Sequence, residues 1–334
     1  MNGKVTDKSQ NYNQGEPEGE RAFSVAKQQP IGGAVAPHGG KNIFNGWLII
    51  DKPLGITSAH VVSKVKRLLG RDIKLGHAGT LDPLASGVLP LALGEATKVV
   101  QFLLDTDKEY EFEVTWGEER ATDDAEGVAV QKSDVRFQMS EILEAMESFR
   151  GEIEQVPPIY SAIKVDGQRA YDLARSDKQV ELKPRKVTIH ELTLTSDIRH
   201  LTSTFKMKCS KGTYVRSVAR DLGRKLGCFG YVSALRRTAH GRFGQEHAIS
   251  LEKLEALCQK GEVASCILPL EEVLDGIPAF PLDALSEQKI RNGVPIDNVL
   301  NINSDIIVLT RNGKLVAIAY PENNKLQPKR VFNH

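Results

Sequence analysis

The chain has 334 residues, 40% hydrophobic and 26% charged, with a formal net charge of +1, as in an ordinary globular protein with room for one large domain and a small one. No apolar run is long enough for a membrane span, and the N-terminus lacks a secretory h-region and carries acidic residues that argue against a transit peptide. Cys209, Cys228, Cys258 and Cys266 form no CxxC pair and no zinc spacing, which predicts reduced thiols in a cytoplasmic protein.

Residues 1–43, rich in Gly, Gln, Asn, Pro, Lys and Glu without hydrophobic periodicity, are expected to be a disordered extension. Order begins at "GWLIIDKPLGITSAHVV", with a short strand over Trp47 to Ile50 and a Lys-Pro-Leu-Gly turn. Thr57 or Ser58 then caps a helix whose apolar stripe is Val61, Val62, Val65 and Leu68. The stretch "GHAGTLDPLASG", residues 76–87, sets Asp82 before a proline in a glycine-punctuated loop. On its own, Asp82-Pro83 reads as the cap and first turn of a helix. Yet a residue before proline is pushed toward extended geometry, and the flanking glycines permit close backbone approach.

"GVLPLALG" reads as a buried strand and "EATKVVQFLL" as a helix. "EYEFEVTWG" alternates strictly, with Tyr110, Phe112, Val114 and Trp116 on one face of a half-buried strand. "MSEILEAMESFRG" predicts a helix ending at Gly151, "IYSAIKV" a strand before an Asp-Gly turn, and "QRAYDLAR" a short helix. "KVTIHELTLTSDI" and "STFKMKCS" predict strands, "TYVRSVARDLGRKLG" a helix closed by Gly227, and "ALRRTAHGRFG" another strand. From Ile277, "DIIVLTR" and "KLVAIAY" predict a small separate β module. Interspersed elements and alternating strands favour an α+β fold with a mixed, mainly antiparallel sheet flanked by helices.

Charge is segregated along the chain. Asp105 to Glu154 holds sixteen acidic and five basic residues, whereas Lys183 to Arg242 holds fourteen basic and three acidic ones. Such asymmetry fits a polyanion partner, or equally two solvated faces that partly neutralise each other. On the helix after Tyr214, Arg216, Arg220 and Arg224 recur four residues apart and repel one another unless anions meet them. A solvated basic face accounts for Arg220 and Arg224, while Arg216, just after "KGTY", is the candidate partner of a buried carboxylate.

The blocks "GHAGTLDPLASGVLPLALGEATK", "DKEYEFEVTWG", "PPIYSAIKVDGQRAYDLAR" and "CSKGTYVRS" resemble, in order, the signatures of the TruB family of tRNA pseudouridine synthases, from about residue 44 to residue 270. The resemblance implies a pseudouridine-synthase fold over 44–275 and a PUA-like β module over 276–334. It implies isomerisation of uridine 55 in the TΨC loop: the N1–C1′ bond is broken, the base turns over, and C5 is joined to C1′. It matches Asp82 to the catalytic carboxylate, acting on C1′ as nucleophile or on the C2′ proton as base, and Arg216 to its partner. Either role needs the anion, which a guanidinium beside it favours. The flipped-out uridine needs a flat or apolar surface, and the resemblance matches Tyr110 to the stacking ring, where alternation alone reads a core strand residue. Tyr214 and Leu235 match pocket-lining residues, and His77 the RNA-contacting histidine. Lys98 matches a lysine near the site, though a solvated helix lysine reads equally well. Asp124 matches an aspartate with a structural or RNA-contacting role.

No metal or cofactor is implied: no ligand spacing, Walker loop or GxGxxG occurs. The partner implied is the T-arm stem-loop of tRNA, met by a monomer without guide RNA. A non-catalytic RNA-binding module explains the charge segregation but not the joint presence of Asp82, Tyr110, Tyr214 and Arg216. A glycoside hydrolase needs two facing carboxylates where these motifs offer one. A guide-dependent synthase is the remaining rival within the same chemistry.

Overall fold

Strand Gly46–Lys52 shows how the chain builds two cores from one period-2 pattern. Leu48 and Ile50 point to one side of the sheet, and Trp47 and Ile49 to the other; all four are buried. Strand Ala85–Leu93 does the same, sending Leu89, Leu91 and Leu93 one way and Val88 and Ala92 the other. Strands covered on both faces read as continuous apolar runs, which is why "GVLPLALG" is legible as a buried strand. The computed structural model describes residues 44–161, 163–165, 168–169, 182–196 and 201–333. The expected N-terminal extension, the Asp-Gly turn at 166–167 and most of the "QRAYDLAR" helix lie outside the described residues.

The main path of the large sheet runs Ile267–Leu268, Gly46–Lys52, Ala85–Leu93, Gly230–His240, Lys108–Trp116, Thr202–Cys209, Arg185–Leu194, Gly151–Gln155. Every pairing along it is antiparallel except one. Gly230–His240 lies parallel to Ala85–Leu93, with Leu235 opposite Ala85 and Arg237 opposite Gly87. The mixed, mainly antiparallel α+β architecture is as expected. The parallel pair needs close contact between backbones: a Cβ on Gly87 (φ 101°) would stand 2.2 Å from the Arg237 carbonyl oxygen.

One face is covered by helices Ser58–Leu69, Met139–Glu147, Val215–Lys225 and Leu251–Lys260, which bury Val61, Val65, Ile142, Met146, Val218, Leu222 and Leu254. Thr57 caps the first of these, accepting the His60 N–H at 3.0 Å. Leu226 and Gly227 (φ 70°) close the arginine helix Val215–Lys225 as predicted.

Four local readings fail. Asp82-Pro83 starts no helix; a turn leads into strand Ala85–Leu93. "EATKVVQFLL" splits into a 3₁₀ turn, Gly94–Lys98, and one short helix, Val100–Leu104. The helix expected to end at Gly151 stops at Glu147, and Gly151 opens a strand against Arg185–Leu194. Among the described residues of "IYSAIKV", only Lys164–Val165 is strand, paired with Gln168–Arg169.

The C-terminal sheet, in the order Ala279–Pro281, Ile307–Arg311, Lys314–Glu322, Lys325–Val331, Ile296–Asp297, has its own core around Phe280, Ile290, Leu309 and Leu326. It is less separate than its sequence implies. Val308, Leu315, Ile318 and Phe332 enter the same cluster as Trp47, Ile49, Val99 and Phe243 on the second face of the large sheet. No described helix is long and apolar enough to cross a membrane. Phe332 is fully buried in the shared cluster. Phe332→Ala should therefore cost about 3–5 kcal/mol, and urea unfolding should stay one transition, since neither sheet keeps a complete core alone.

Candidate active site

The loop carrying Asp82 is fixed from three directions. The Ser58 hydroxyl donates to the Leu81 carbonyl at 3.0 Å and accepts the Leu81 N–H at 2.9 Å. The Gly55 N–H donates to the Pro83 carbonyl at 2.8 Å. The buried Lys52 ammonium donates to the carbonyls of Ile56 and Pro53, at 2.7 and 2.9 Å, and to Pro83 at 3.4 Å. Asp82 Oδ2 then meets Arg216 Nη2 at 2.8 Å. The pair is asymmetric: the carboxylate side chain is 41% exposed and the guanidinium only 6%. A buried cation thus holds a solvent-reachable anion.

Arg216 is in turn held rigidly. Its Nη1 donates to the Thr122 carbonyl and its Nη2 to the Tyr160 carbonyl, each at 2.9 Å. Asp124 lies 3.4 Å from Nη1 and is itself bonded to the Thr122 hydroxyl and, at 3.0 Å, to the Glu126 N–H. Burial, followed by the charges of Asp124 and Asp82, raises the Glu126 carboxyl above its ordinary value. Burial pushes the Lys52 ammonium down to about 8, although Asp82 and Glu126 favour its charged form.

Tyr214 sits at the start of the arginine helix in extended geometry. Gln155, buried, accepts the Tyr214 N–H at 2.8 Å and donates to the Tyr214 carbonyl at 3.1 Å. Burial raises the phenols of both Tyr110 and Tyr214, and the Asp82 charge acts in the same direction on each. Leu235 is buried beside Phe112 and Ala85 in the sheet register. His77 ends strand Leu75–His77; its Nδ1 is buried without a partner, and burial and the Arg237 charge lower its imidazole. Asp82, Arg216, Tyr110, Tyr214 and Asp124 therefore converge, with His77 nearby and Leu235 opposite Ala85, three residues beyond Asp82.

Lys98 does not join them. Its ammonium bonds Glu95 at 2.6 Å and the Val331 carbonyl at 2.7 Å, and lies over the Phe332 ring, tying the C-terminal segment to the large sheet. The solvated face assigned to Arg220 and Arg224 is also corrected. Arg220 is buried against Asp123 at 2.9 Å, Asp221 and the Val156 carbonyl, and Arg224 makes a fork to Glu119 at 3.0 and 2.7 Å. Burial pushes the Asp123 carboxyl up to about 6 despite Arg220. Sequence reasoning missed Lys52, Ser58 and Gln155, whose roles depend on partners far along the chain. Among the described residues no His, Cys, Asp and Glu cluster is arranged to hold a metal ion.

Comparison with known proteins adds to this geometry. Residues 66–215 match the N-terminal domain of TruB family pseudouridylate synthase, and residues 216–275 the C-terminal domain of tRNA pseudouridylate synthase B. Proteins named tRNA pseudouridine synthase B from Rhodopseudomonas palustris and Rhodospirillum rubrum are each 47% identical to the chain. The first match covers 90% of this chain and 84% of the relative, the second 87% and 97%. Among solved structures, a Cbf5-Nop10-Gar1 complex aligns with a TM-score of 0.67 at 27% identity, over 87% of this chain and 86% of that one. An H/ACA RNP bound to a substrate RNA containing 2′-deoxyuridine aligns with a TM-score of 0.66 at 26% identity, with the same coverage.

The buried lysines generate a prediction of opposite signs. Lys52 and Lys108 are both pushed down to about 8, while unfolded lysines keep their protons to about 10.4. Between those values the unfolded chain binds more protons, so these groups make stability rise with pH there. Turnover should fall around pH 8, where the folded Lys52 loses its charge beside Asp82. Parallel chemical melts and rate measurements from pH 7 to 10 check both signs. Lys52→Met should be slower at neutral pH by about tenfold, a loss of about 1.4 kcal/mol, and should lack the alkaline fall.

Proposed function

The chain belongs to the TruB family of pseudouridylate synthases and isomerises uridine to pseudouridine in tRNA, and from that premise we propose that its target is uridine 55 of the TΨC loop and that Asp82 is the catalytic group. The observation that carries this reading is the Asp82–Arg216 pair, an exposed carboxylate on a buried guanidinium, whose charge is felt by Tyr110 and Tyr214. The N1–C1′ bond breaks with its electron pair leaving on the base. Asp82 acts either by bonding to C1′, to be displaced when C5 bonds C1′, or by taking the C2′ proton and returning it; the proton that C5 then loses to solvent is matched by one gained at N1. Tyr110 offers the flat surface for the flipped base, and Tyr214 and Leu235 close the pocket. Asp124 serves through Arg216.

We assign residues 44–275 to one catalytic domain. The strand Gly230–His240 is inserted between strands that precede it by more than a hundred residues, so one sheet spans both matched regions. Residues 276–334 are the PUA-like module. The enzyme works in the cytoplasm as a monomer without a guide RNA or metal. Favouring this over a guide-dependent enzyme, relatives named for tRNA are 47% identical, against 27% for the Cbf5 complex.

A minimal T-arm stem-loop incubated with the pure protein should be converted at the position equivalent to uridine 55, with no added RNA, metal or protein. Unpairing its stem should abolish conversion, because the loop would no longer be presented in a fixed shape. Asp82→Asn should bring turnover below detection while leaving stem-loop binding within about threefold; turnover above a few per cent of wild type would remove Asp82 from the catalytic role. Arg216→Lys should also be severe, because a point charge cannot reproduce the guanidinium fork that engages Asp82, Thr122 and Tyr160.

A further inference from the structure

A further buried arginine lies close to the site. Arg237, on strand Gly230–His240, is 2% exposed. Its Nε donates to the Val88 carbonyl at 2.8 Å, and its Nη2 to the Gly79 carbonyl at 3.1 Å, inside the loop that carries His77 and Asp82. Among the described residues, no carboxylate stands within ion-pair distance of it. The group that faces it is the Tyr110 phenol, on the residue directly opposite in the antiparallel register. Directly opposed residues project to the same face of a sheet, so phenol and guanidinium meet side by side.

Among the described residues, the surroundings supply no compensating anion. His240 is fully buried, its Nε2 bonded to the Leu103 carbonyl at 2.9 Å and its Nδ1 without a partner, and burial and Arg237 push its imidazole down to about 2. His77 is shifted the same way, and Lys108 is a further cation. Two glycines accommodate the arrangement: a Cβ on Gly79 would stand 3.0 Å from His240 Cε1, and one on Gly87 would strike the Arg237 backbone. A cation removed from water without an anion is costly. The chain bears that cost directly beside the tyrosine proposed to carry the base.

We propose that Arg237 is a positioning residue for the isomerisation, acting through Tyr110: it locks the phenol and the Asp82 loop into one frame and polarises the phenol toward the detached base. This rests on the isomerase reading given above. When N1–C1′ breaks, the bonding pair leaves with uracil, which becomes an anion. The phenol oxygen accepts from Arg237 and its O–H donates to that anion; when C5 bonds C1′ the pair returns, Asp82 is displaced from C1′ or gives back the C2′ proton, and the proton C5 releases to solvent is matched by one that N1 takes up. Arg237 itself gains and loses no proton.

The test is a double-mutant cycle on single-turnover rate with saturating T-arm stem-loop, alongside stem-loop Kd and a thermal melt for each protein. Arg237→Lys keeps the charge and loses the fork, and should slow the rate by about tenfold to a hundredfold with Kd within about threefold. Arg237→Gln should be slower still, and replaces the lysine variant in the cycle if that protein does not fold. In a Tyr110→Phe background, where the phenol is gone, the same change at Arg237 should cost less than about threefold further. Equal losses in both backgrounds, or a loss carried by Kd with the rate intact, would overturn the proposal. A wild-type protein that leaves the stem-loop unmodified would instead overturn the isomerase reading, before any variant is compared.

Discussion

The site is organised around the burial of one guanidinium. Arg216 is almost fully withdrawn from water, and two backbone carbonyls and Asp124 satisfy it from behind. Removing a charge from water costs several kcal/mol unless its hydrogen bonds are met, so the loops around residues 122 and 160 cannot move without exposing that cost. What remains of the fork points outward at Asp82. The carboxylate therefore has a fixed partner on one side and open space on the other, as a group that must reach a sugar carbon requires. Gln155 extends the same rigidity by bracketing both backbone groups of Tyr214.

The charge segregation finds its explanation in the same register. Strands Lys108–Trp116 and Thr202–Cys209 set Glu109 opposite Lys208 and Glu111 opposite Lys206, and both couples form ion pairs. Asp105 meets Lys211, Glu152 meets Lys186, Glu119 meets Arg224 and Asp123 meets Arg220. Among the described residues, seven of the fourteen basic side chains from Lys183 to Arg242 pair with carboxylates from Asp105 to Glu154. Exposed pairs of this kind contribute little stability individually, but opposite charges across a strand pair favour one register over its neighbours.

Legibility followed the range of the interactions. Alternation along Lys108–Trp116 and the apolar run of Ala85–Leu93 report local burial, and the Thr57 cap and the Gly227 stop are contacts within one turn; all were readable. Asp82-Pro83 carries a helix-start signal, but Ser58, Lys52 and Gly55 hold the loop from some thirty residues away and override it. Arg220 and Arg224 looked solvated because their anions lie a hundred residues upstream. Lys98 could be placed only by knowing where the C-terminus returns. The convergence of Asp82, Tyr110, Tyr214 and Arg216 became visible through the order of the family's motifs, since periodicity alone puts Tyr110 in a core strand.

The shared cluster of Trp47, Ile49, Phe243, Val308 and Phe332 bears on how such a protein could be rebuilt by recombination. A β module joined by a polar hinge can be exchanged between genes as a cassette. Here the seam is greasy: a crossover at the boundary near residue 275 would strip cover from an indole and an isoleucine on the first strand of the large sheet. That strand runs directly into the Lys52 turn bracing the Asp82 loop. Inheritance of the two sheets is thereby linked, and a graft would have to bring its own apolar lid.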